Sequence, residues 1–367
     1  MQEIRKSFDI TLPDPDILSG TDLDRALFFD IETTGLSRER TTLYLIGAGF
    51  FKDGSFNTIQ WFADKPSEEN FILDDFLSFS EGYETLIHYN GNHFDLPYID
   101  YKARLHSYEN SLRSLKSIDI YPMIKPLKKL LGLKSIKLRD IAAFLHIFPK
   151  DCMSGRDLIH VYYDQVREPT DENLSLMLTH NQSDLWLMPM VLPILKYTAL
   201  KDASFDLKDI KKCEYRDYHG DTCHELIIHY STDILLPYSF DSLNDGIFFS
   251  YGDTGIAIRI PIKEMTLKHF FENYRDYYYL PADDMCIHKA VASGVDRSKR
   301  VRAKKDNCYI KNTGLYIPVF ELDPCGSVFK KELRSDMNYA IYDDSLLENK
   351  EMQDMLCPAL IKYLIKE

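Results

Sequence analysis

The stretch FFDIETTGL, residues 28–36, sets two carboxylates, Asp30 and Glu32, one residue apart. On a strand both side chains leave the same face. Four apolar residues, 26–29, precede Asp30, and Ile31 separates the acids, so the pair reads as buried. Buried neighbouring carboxylates repel each other and lose hydration, and a cation is the natural compensation. Hard oxygen donors suit Mg²⁺ or Mn²⁺. The competing reading is an edge strand with two solvated acids. A second group lies in LIHYNGNHFDLPYI, residues 86–99, where Asp95 opens a helix just after the turn at Asn90-Gly91. Alone, such an acid is explained by the helix dipole. His88 and His93 flank the turn. A third group lies in LTHNQSDLWLMPMV, residues 178–191, where His180 and Asp184 share one helix face. Alone, that is an ordinary surface pair.

The elements that must position these groups can be read from periodicity. Residues 26–31, 42–51, 56–62, 85–89 and 117–121 are short apolar runs bounded by turn residues and predict five strands. The first three are expected to be antiparallel. Phe71, Ile72, Asp75, Phe76 and Phe79 recur near helical spacing over 67–79. Residues 94–107, 123–132, 136–147, 154–166 and 171–197 read as further helices broken by Pro, Gly or polar residues. This order predicts an α/β fold with a mixed five-stranded sheet flanked by helices. A boundary falls in the polar stretch 200–212. Beyond it, 222–238 and 246–262 alternate as strands do, and the aromatic run 266–279 reads as a helix. A smaller α+β region is therefore expected over 213–367.

In this order and at these separations, DIETTGL, HYNGNHFD and HNQSD resemble the motifs of the DEDD superfamily of 3′–5′ exonucleases, which have a ribonuclease H-like fold. Within it, the chain looks most like the predicted bacterial ribonuclease H-like exonucleases. IDIYP at 118–122 and CMSGRDLIHVYY at 152–163 belong to that likeness, which covers residues 22–200. The resemblance implies that Asp30, Glu32, Asp95 and Asp184 hold two divalent cations, Mg²⁺ or Mn²⁺. It places His180 where the general base sits, with one departure. The superfamily's histidine branch has His five residues before the last Asp and its tyrosine branch has Tyr four before, whereas this chain has His at the tyrosine spacing. An imidazole in reach of a water molecule suits the task chemically. The resemblance also implies that the backbone at Thr33, Thr34 and Gly35 lines a terminal nucleotide, that Leu36 wedges against the last base, and that Asn90 belongs to the substrate-binding set. Simple turn packing explains Leu36 equally well.

Residues 125–139 carry six bases and no acid, and Lys125, Lys128, Lys129, Lys134, Lys137 and Arg139 are candidates to contact phosphates, Lys128 and Lys129 foremost; a solvated helix face is the competing reading. The run from Lys289 to Lys305 holds seven bases and one acid, Asp296, and follows Tyr277, Tyr278 and Tyr279. Such residues stack on bases in single-strand binders, although tyrosine clusters more often form core. Cys213, His219, Cys223 and His224, and Cys286 with His288, fit no standard zinc spacing. The net charge of −13 excludes a generally basic coat, not a local basic surface. Seven scattered cysteines without a CxxC pair, no apolar signal core and no long apolar run point to a cytoplasmic chain with reduced thiols and no membrane span. The expected activity is metal-dependent 3′–5′ exonucleolysis of single-stranded DNA or RNA. A non-catalytic nucleic-acid-binding protein and an endonuclease of the same fold are the alternatives.

Overall fold

The structure is a computed structural model that describes residues 1–10, 14–149, 153, 155–320 and 327–365. Cys152 and Ser154 of the 152–163 segment lie outside them, as does Cys325. The chain divides into two compact units, residues 1–128 with 133–198, and residues 129–132 with 199–366.

The first unit contains β1 (Gln2–Phe8), β2 (Ala26–Thr33), β3 (Leu43–Lys52), β4 (Ser55–Phe62), α1 (Glu69–Ser80), β5 (Thr85–His88), α2 (Asp95–Leu105) and β6 (Lys116–Asp119). The helices α3 (Ile120–Ile124), α4 (Leu127–Leu130, whose last two residues are assigned to the second unit), α5 (Leu138–Phe144), α6 (Gly155–Arg167) and α7 (Asp171–Val191) follow. The sheet order is β1-β4-β3-β2-β5-β6. β1 to β4 pair antiparallel, whereas β5 and β6 run parallel to β2. The expected mixed sheet is present, but with six strands rather than five. The sixth is β1, whose polar sequence QEIRKSF forms an edge strand beside β4 and so lacks the apolar run that marks a central strand.

The central strand β3 is buried along nearly its whole length because both sheet faces are covered. On one face Leu27, Phe29, Ile31, Ile46, Ala48 and Trp61 meet Ile72, Leu73 and Phe76 of α1 and Tyr98 and Ile99 of α2. Side-chain alternation therefore turns Phe28, Asp30 and Glu32 to the opposite face, where α7 packs. α7 begins at the Thr170 cap, which accepts the Asn173 N–H at 3.2 Å. The expected helix 171–197 gives way to 3₁₀ geometry at Leu192, just after Pro189, whose ring removes an intrahelical donor.

The second unit contains β7 (Asp206–Arg216), β8 (Thr222–Ser231), β9 (Phe240–Asn244), β10 (Ile247–Gly252), β11 (Gly255–Phe270), β12 (Tyr277–Leu280), β13 (Met285–His288), β14 (Val301–Arg302), β15 (Tyr309–Val319), β16 (Asn338–Ile341) and α8 (Lys350–Leu364). β11 is sixteen residues long and organises a seven-stranded sheet. Its first half pairs with β8 and β10, its second half with β15. The run 266–279 is thus not a helix: residues 266–270 end β11, a 3₁₀ turn spans Tyr274–Asp276, and Tyr277 opens β12. Leu267 is buried beside Tyr316 of β15, and cross-strand pairing overrides the helix-like spacing of the aromatic residues.

Gly47 allows α7 to reach the sheet. It pairs with Asp30 across β2 and β3, and a Cβ there would lie 2.1 Å from Asn181 Oδ1 and 2.7 Å from Leu185 Cδ1. Gly47→Ala should lower stability by about 1–3 kcal/mol, the usual cost of overpacking. Gly294→Ala, where nothing lies within 4 Å of the added carbon, should stay within about 0.5 kcal/mol of wild type. Thermal and urea melts of the two variants check this; equal losses would show that Gly47 does not set the helix-to-sheet distance.

Candidate active site

Asp30 and Glu32 leave β2 toward α7, and Asn181 of α7 ties the two elements together. Its amide donates to Asp30 Oδ2 at 2.9 Å and to the Asp30 carbonyl at 3.3 Å. Its own oxygen accepts from Gln60 Nε2 at 2.9 Å, and the same Gln60 amide donates to the Leu178 carbonyl at 2.9 Å. At the next residue of α7, Gln182 Oε1 accepts from the Thr58 hydroxyl at 3.0 Å. Thr58, Gln60 and Asn181 are fully buried, so each lost partner would cost about 1–3 kcal/mol. These bonds fix the rotation of α7 about its axis, and with it the direction of His180 and Asp184.

Asp95 enters from the first turn of α2. Its carboxylate accepts its own backbone N–H and that of Ile31, which pins it to β2. The preceding turn is shaped by Asp119, which accepts the N–H groups of Asn90 at 2.7 Å and Asn92 at 3.2 Å. Asn90 has φ +63°, a left-handed conformation that asparagine tolerates better than most residues. His88 is a packing residue. It is buried, its Nε2 meets the Ser117 hydroxyl at 2.8 Å, and burial lowers its pKa to about 4. His93 is exposed.

The same α2 secures the turn after β2. Lys102 Nζ donates to the Thr41 carbonyl at 2.6 Å, and the Tyr98 and Thr41 hydroxyls meet at 2.9 Å. Within the turn, the Thr33 and Thr41 hydroxyls donate to the Gly35 carbonyl at 2.9 and 3.0 Å, and Thr34 Oγ1 accepts the Thr42 N–H at 2.9 Å. A Cβ on Gly35 would meet Thr41 Cγ2 at 2.9 Å. Leu36 projects from this turn with 88% of its surface exposed.

The four acids are close enough to perturb one another. Burial pushes the Asp30 pKa well above the usual carboxylate range, and the charges of Glu32, Asp184 and Asp95 push it further, against the Asn181 bond. Burial raises Asp95 to about 7, against the two backbone N–H bonds, with Asp119 adding to the rise. His180 Nε2 lies 3.5 Å from Glu32 Oε1 and 3.9 Å from Asp184 Oδ2. Its Nδ1 lies 3.2 Å from a guanidinium nitrogen of Arg139 on α5. A guanidinium only donates, so Nδ1 accepts and the ring proton sits on Nε2, facing the carboxylates. Among the described residues no three His, Cys, Asp or Glu groups are already gathered as a metal cluster. The donor set nevertheless fits a hard divalent cation: every candidate ligand is a carboxylate, and burial and mutual repulsion destabilise the charged forms that a cation would stabilise.

Three participants escape a reading of the sequence alone. Asn181 lies inside HNQSD, yet an amide between a histidine and an acid carries no signal of its own. Arg139 reads only as one base of a run. Gly155, the first residue of α6, lies beside the site: a Cβ there would sit in ordinary contact, 3.8 Å from both Glu32 Oε2 and His180 Nε2. Lys128 lines a pocket of about 480 Å³ with Tyr89, Asn90, Tyr121, Ser135 and Lys137. Lys129 belongs to the second unit, where its ammonium lies 3.0 Å from Asp245 and 3.8 Å from the centre of the Tyr363 ring.

Residues 27–195 match the RNase_H_2 family model, described as RNase_H superfamily. The match spans just under half of the chain, and the fold of this segment is ribonuclease H-like. No curated protein sequence matches the chain significantly. Among solved structures, a family B DNA polymerase from the archaeon Pyrobaculum calidifontis is similar at 14% identity and a TM-score of 0.39, over 48% of this chain and 25% of the polymerase. A product-bound exonuclease I is similar at 13% identity and a TM-score of 0.28, over 64% of this chain and 62% of that one. Exonuclease I from Methylocaldum szegediense is similar at 10% identity and a TM-score of 0.26, over 56% and 54%. The chain spans a quarter of the polymerase and less than two thirds of each exonuclease. No helix among the described residues is long and apolar enough to cross a membrane.

The raised carboxylates give a signed stability prediction. Folded Asp95 titrates near 7 against about 3.9 when unfolded, so between these values the folded state holds the extra proton. Stability of the metal-free protein should therefore be greatest below pH 4 as far as this group is concerned, and should fall as pH rises toward 7. Asp30 acts in the same sense. In EDTA, Asp30→Asn should melt several degrees higher than wild type near pH 8, and its melting temperature should depend less on pH, at about 2–4 °C per kcal/mol of repulsion relieved. A variant with the wild-type slope would mean that the Asp30 charge is not costly.

Proposed function

We propose that the chain is a metal-dependent 3′–5′ exonuclease of the DEDD type, acting on single-stranded DNA or RNA. The observation that carries this reading is the set Asp30, Glu32, Asp95 and Asp184, drawn together on a ribonuclease H-like domain so that the other three raise the Asp30 pKa. These four carboxylates would hold two divalent cations, Mg²⁺ or Mn²⁺. When bound, the cations would supply charge stabilisation for the phosphodiester's developing negative charge. The chain's own residues do the rest. The backbone of Thr33, Thr34 and Gly35 approaches the terminal nucleotide, Leu36 offers an exposed apolar edge to its base, and Asn90 with Lys128 lines a pocket for the strand. Lys129 is held by Asp245 at 3.0 Å, so any phosphate competes with that carboxylate for its charge.

His180 is the proposed base. Accepting a proton at Nε2 requires a lone pair there, so Arg139 must release Nδ1 and the ring hydrogen must move to that nitrogen. His180→Ala should cost roughly 10²- to 10⁴-fold in rate. His180→Tyr restores the residue common at this spacing and should recover much of the loss. Equal rates for alanine, tyrosine and wild type would make His180 a structural residue only.

The reading is tested by incubating end-labelled single strands of DNA and RNA with and without Mn²⁺ and sizing the products. Shortening from the 3′ end to mononucleotides is expected, slowed by a 3′-phosphate and abolished in Asp30→Asn. Internal cuts in a circular strand would establish the endonuclease alternative. Strand binding without cleavage under any divalent cation would establish the non-catalytic one.

A further inference from the structure

We infer that the small sheet formed by β12, β13 and β14, in the second unit, is a further surface for single-stranded nucleic acid. The inference does not depend on the hydrolytic reading. β12 lies between β13 and β14. Tyr277 and Tyr279 turn inward, packing with Cys286, Ala303 and Cys308. Tyr278 therefore points to the other face. There it stands opposite Ile287 and Arg302, and the Arg300 guanidinium lies 4.8 Å from its ring centre. The aromatic cluster thus divides by strand alternation: two tyrosines pack against the small core, and the third, half-buried, lies on the other face beside two arginines.

Basic residues predominate in the segment that leads into β14. The run from Lys289 to Lys305 carries seven bases and one acid in a chain of net charge −13. That acid, Asp296, is exposed and accepts from Ser298 N and Oγ, each at 2.8 Å. Of the bases, Lys289 lies 3.9 Å from Asp276, and Arg300 donates to the Ala292 carbonyl. Among the described residues, Arg297, Lys299, Arg302 and Lys304 form no ion pair, and all four are exposed. Asp284 is engaged by Lys311, Tyr279 and Tyr309, and the other nearby acids, Glu272, Asp283 and Asp306, lie in turns rather than on the strands. A phosphate backbone complements uncompensated arginine and lysine, and an aromatic ring with a guanidinium at its face offers a base a sequence-tolerant stacking platform. Both features together favour an unpaired strand, whose bases are free to stack.

The test uses the full chain in EDTA with fluorescein-labelled dT20 and rU20, followed by fluorescence anisotropy across a salt series. Arg300→Gln with Arg302→Gln should weaken binding and reduce the slope of log affinity against log salt by roughly 1.4, about 0.7 for each phosphate no longer neutralised. Tyr278→Ala should weaken binding roughly 5- to 150-fold, as loss of one stacked base does, while Tyr278→Phe should bind like wild type. Unchanged melting temperatures separate this from misfolding. The inference is overturned if wild type binds neither strand, if the arginine variant keeps the wild-type affinity and slope, or if Tyr278→Phe loses as much as Tyr278→Ala. Binding to phosphatidylglycerol vesicles without binding to either strand would also overturn it. Strand binding through this face in a protein that never cleaves would support it while contradicting the exonuclease proposal.

Discussion

Holding several carboxylates together out of water is the constraint on which the first unit depends. Asp30, Glu32, Asp95 and Asp184 arrive from a strand, the start of one helix and the body of another, and their charges oppose their being brought together. Neutral dipoles resist that repulsion. Asn181 donates to Asp30, and Gln60 in turn holds Asn181. Two backbone N–H groups hold Asp95. Each amide is aimed by the packing around it, and Gly47 leaves the room that Asn181 needs. The scaffold thereby tolerates a cluster whose charges are mutually unfavourable, which the proposed cations would relieve. Such stored repulsion is typical of sites built for chemistry rather than for stability.

Much of this arrangement is legible in the sequence. The continuous apolar run ending at Asp30 predicts a buried strand, and period-two alternation then sets Asp30 and Glu32 on one side. The i, i+4 spacing of His180 and Asp184 likewise predicts a shared helix face. Other features are hidden because they are properties of pairs distant in sequence. Gln60 and Asn181 are 121 positions apart, and neither has a distinctive local pattern. Gly47 is one small residue in a hydrophobic strand, and its role appears only when α7 lies over it. β1 escapes detection because an edge strand needs no apolar face, and the 266–279 run misleads because aromatic spacing alone does not separate a helix from cross-paired strands.

The two units raise different questions about charge. In the first, acids are concentrated, Glu32 and Asp95 buried and Asp30 and Asp184 partly so. In the second, the run from Lys289 to Lys305 concentrates bases on exposed segments, mostly away from ion-pair partners among the described residues. The overall charge of −13 hides both local imbalances. Composition therefore bounds the protein's interactions poorly, and the distribution of charge over the fold bounds them better.

The central claim is that the buried acids form a cation site whose protons must leave when the cation binds. Calorimetric titration of Mn²⁺ into the full chain near pH 7, repeated in buffers of different ionisation enthalpy, measures this directly. The account predicts saturable binding with net proton release, because the pKa of Asp95 near 7 and the raised Asp30 leave protons to displace. Saturable binding that releases no protons, or no binding at all, would contradict it.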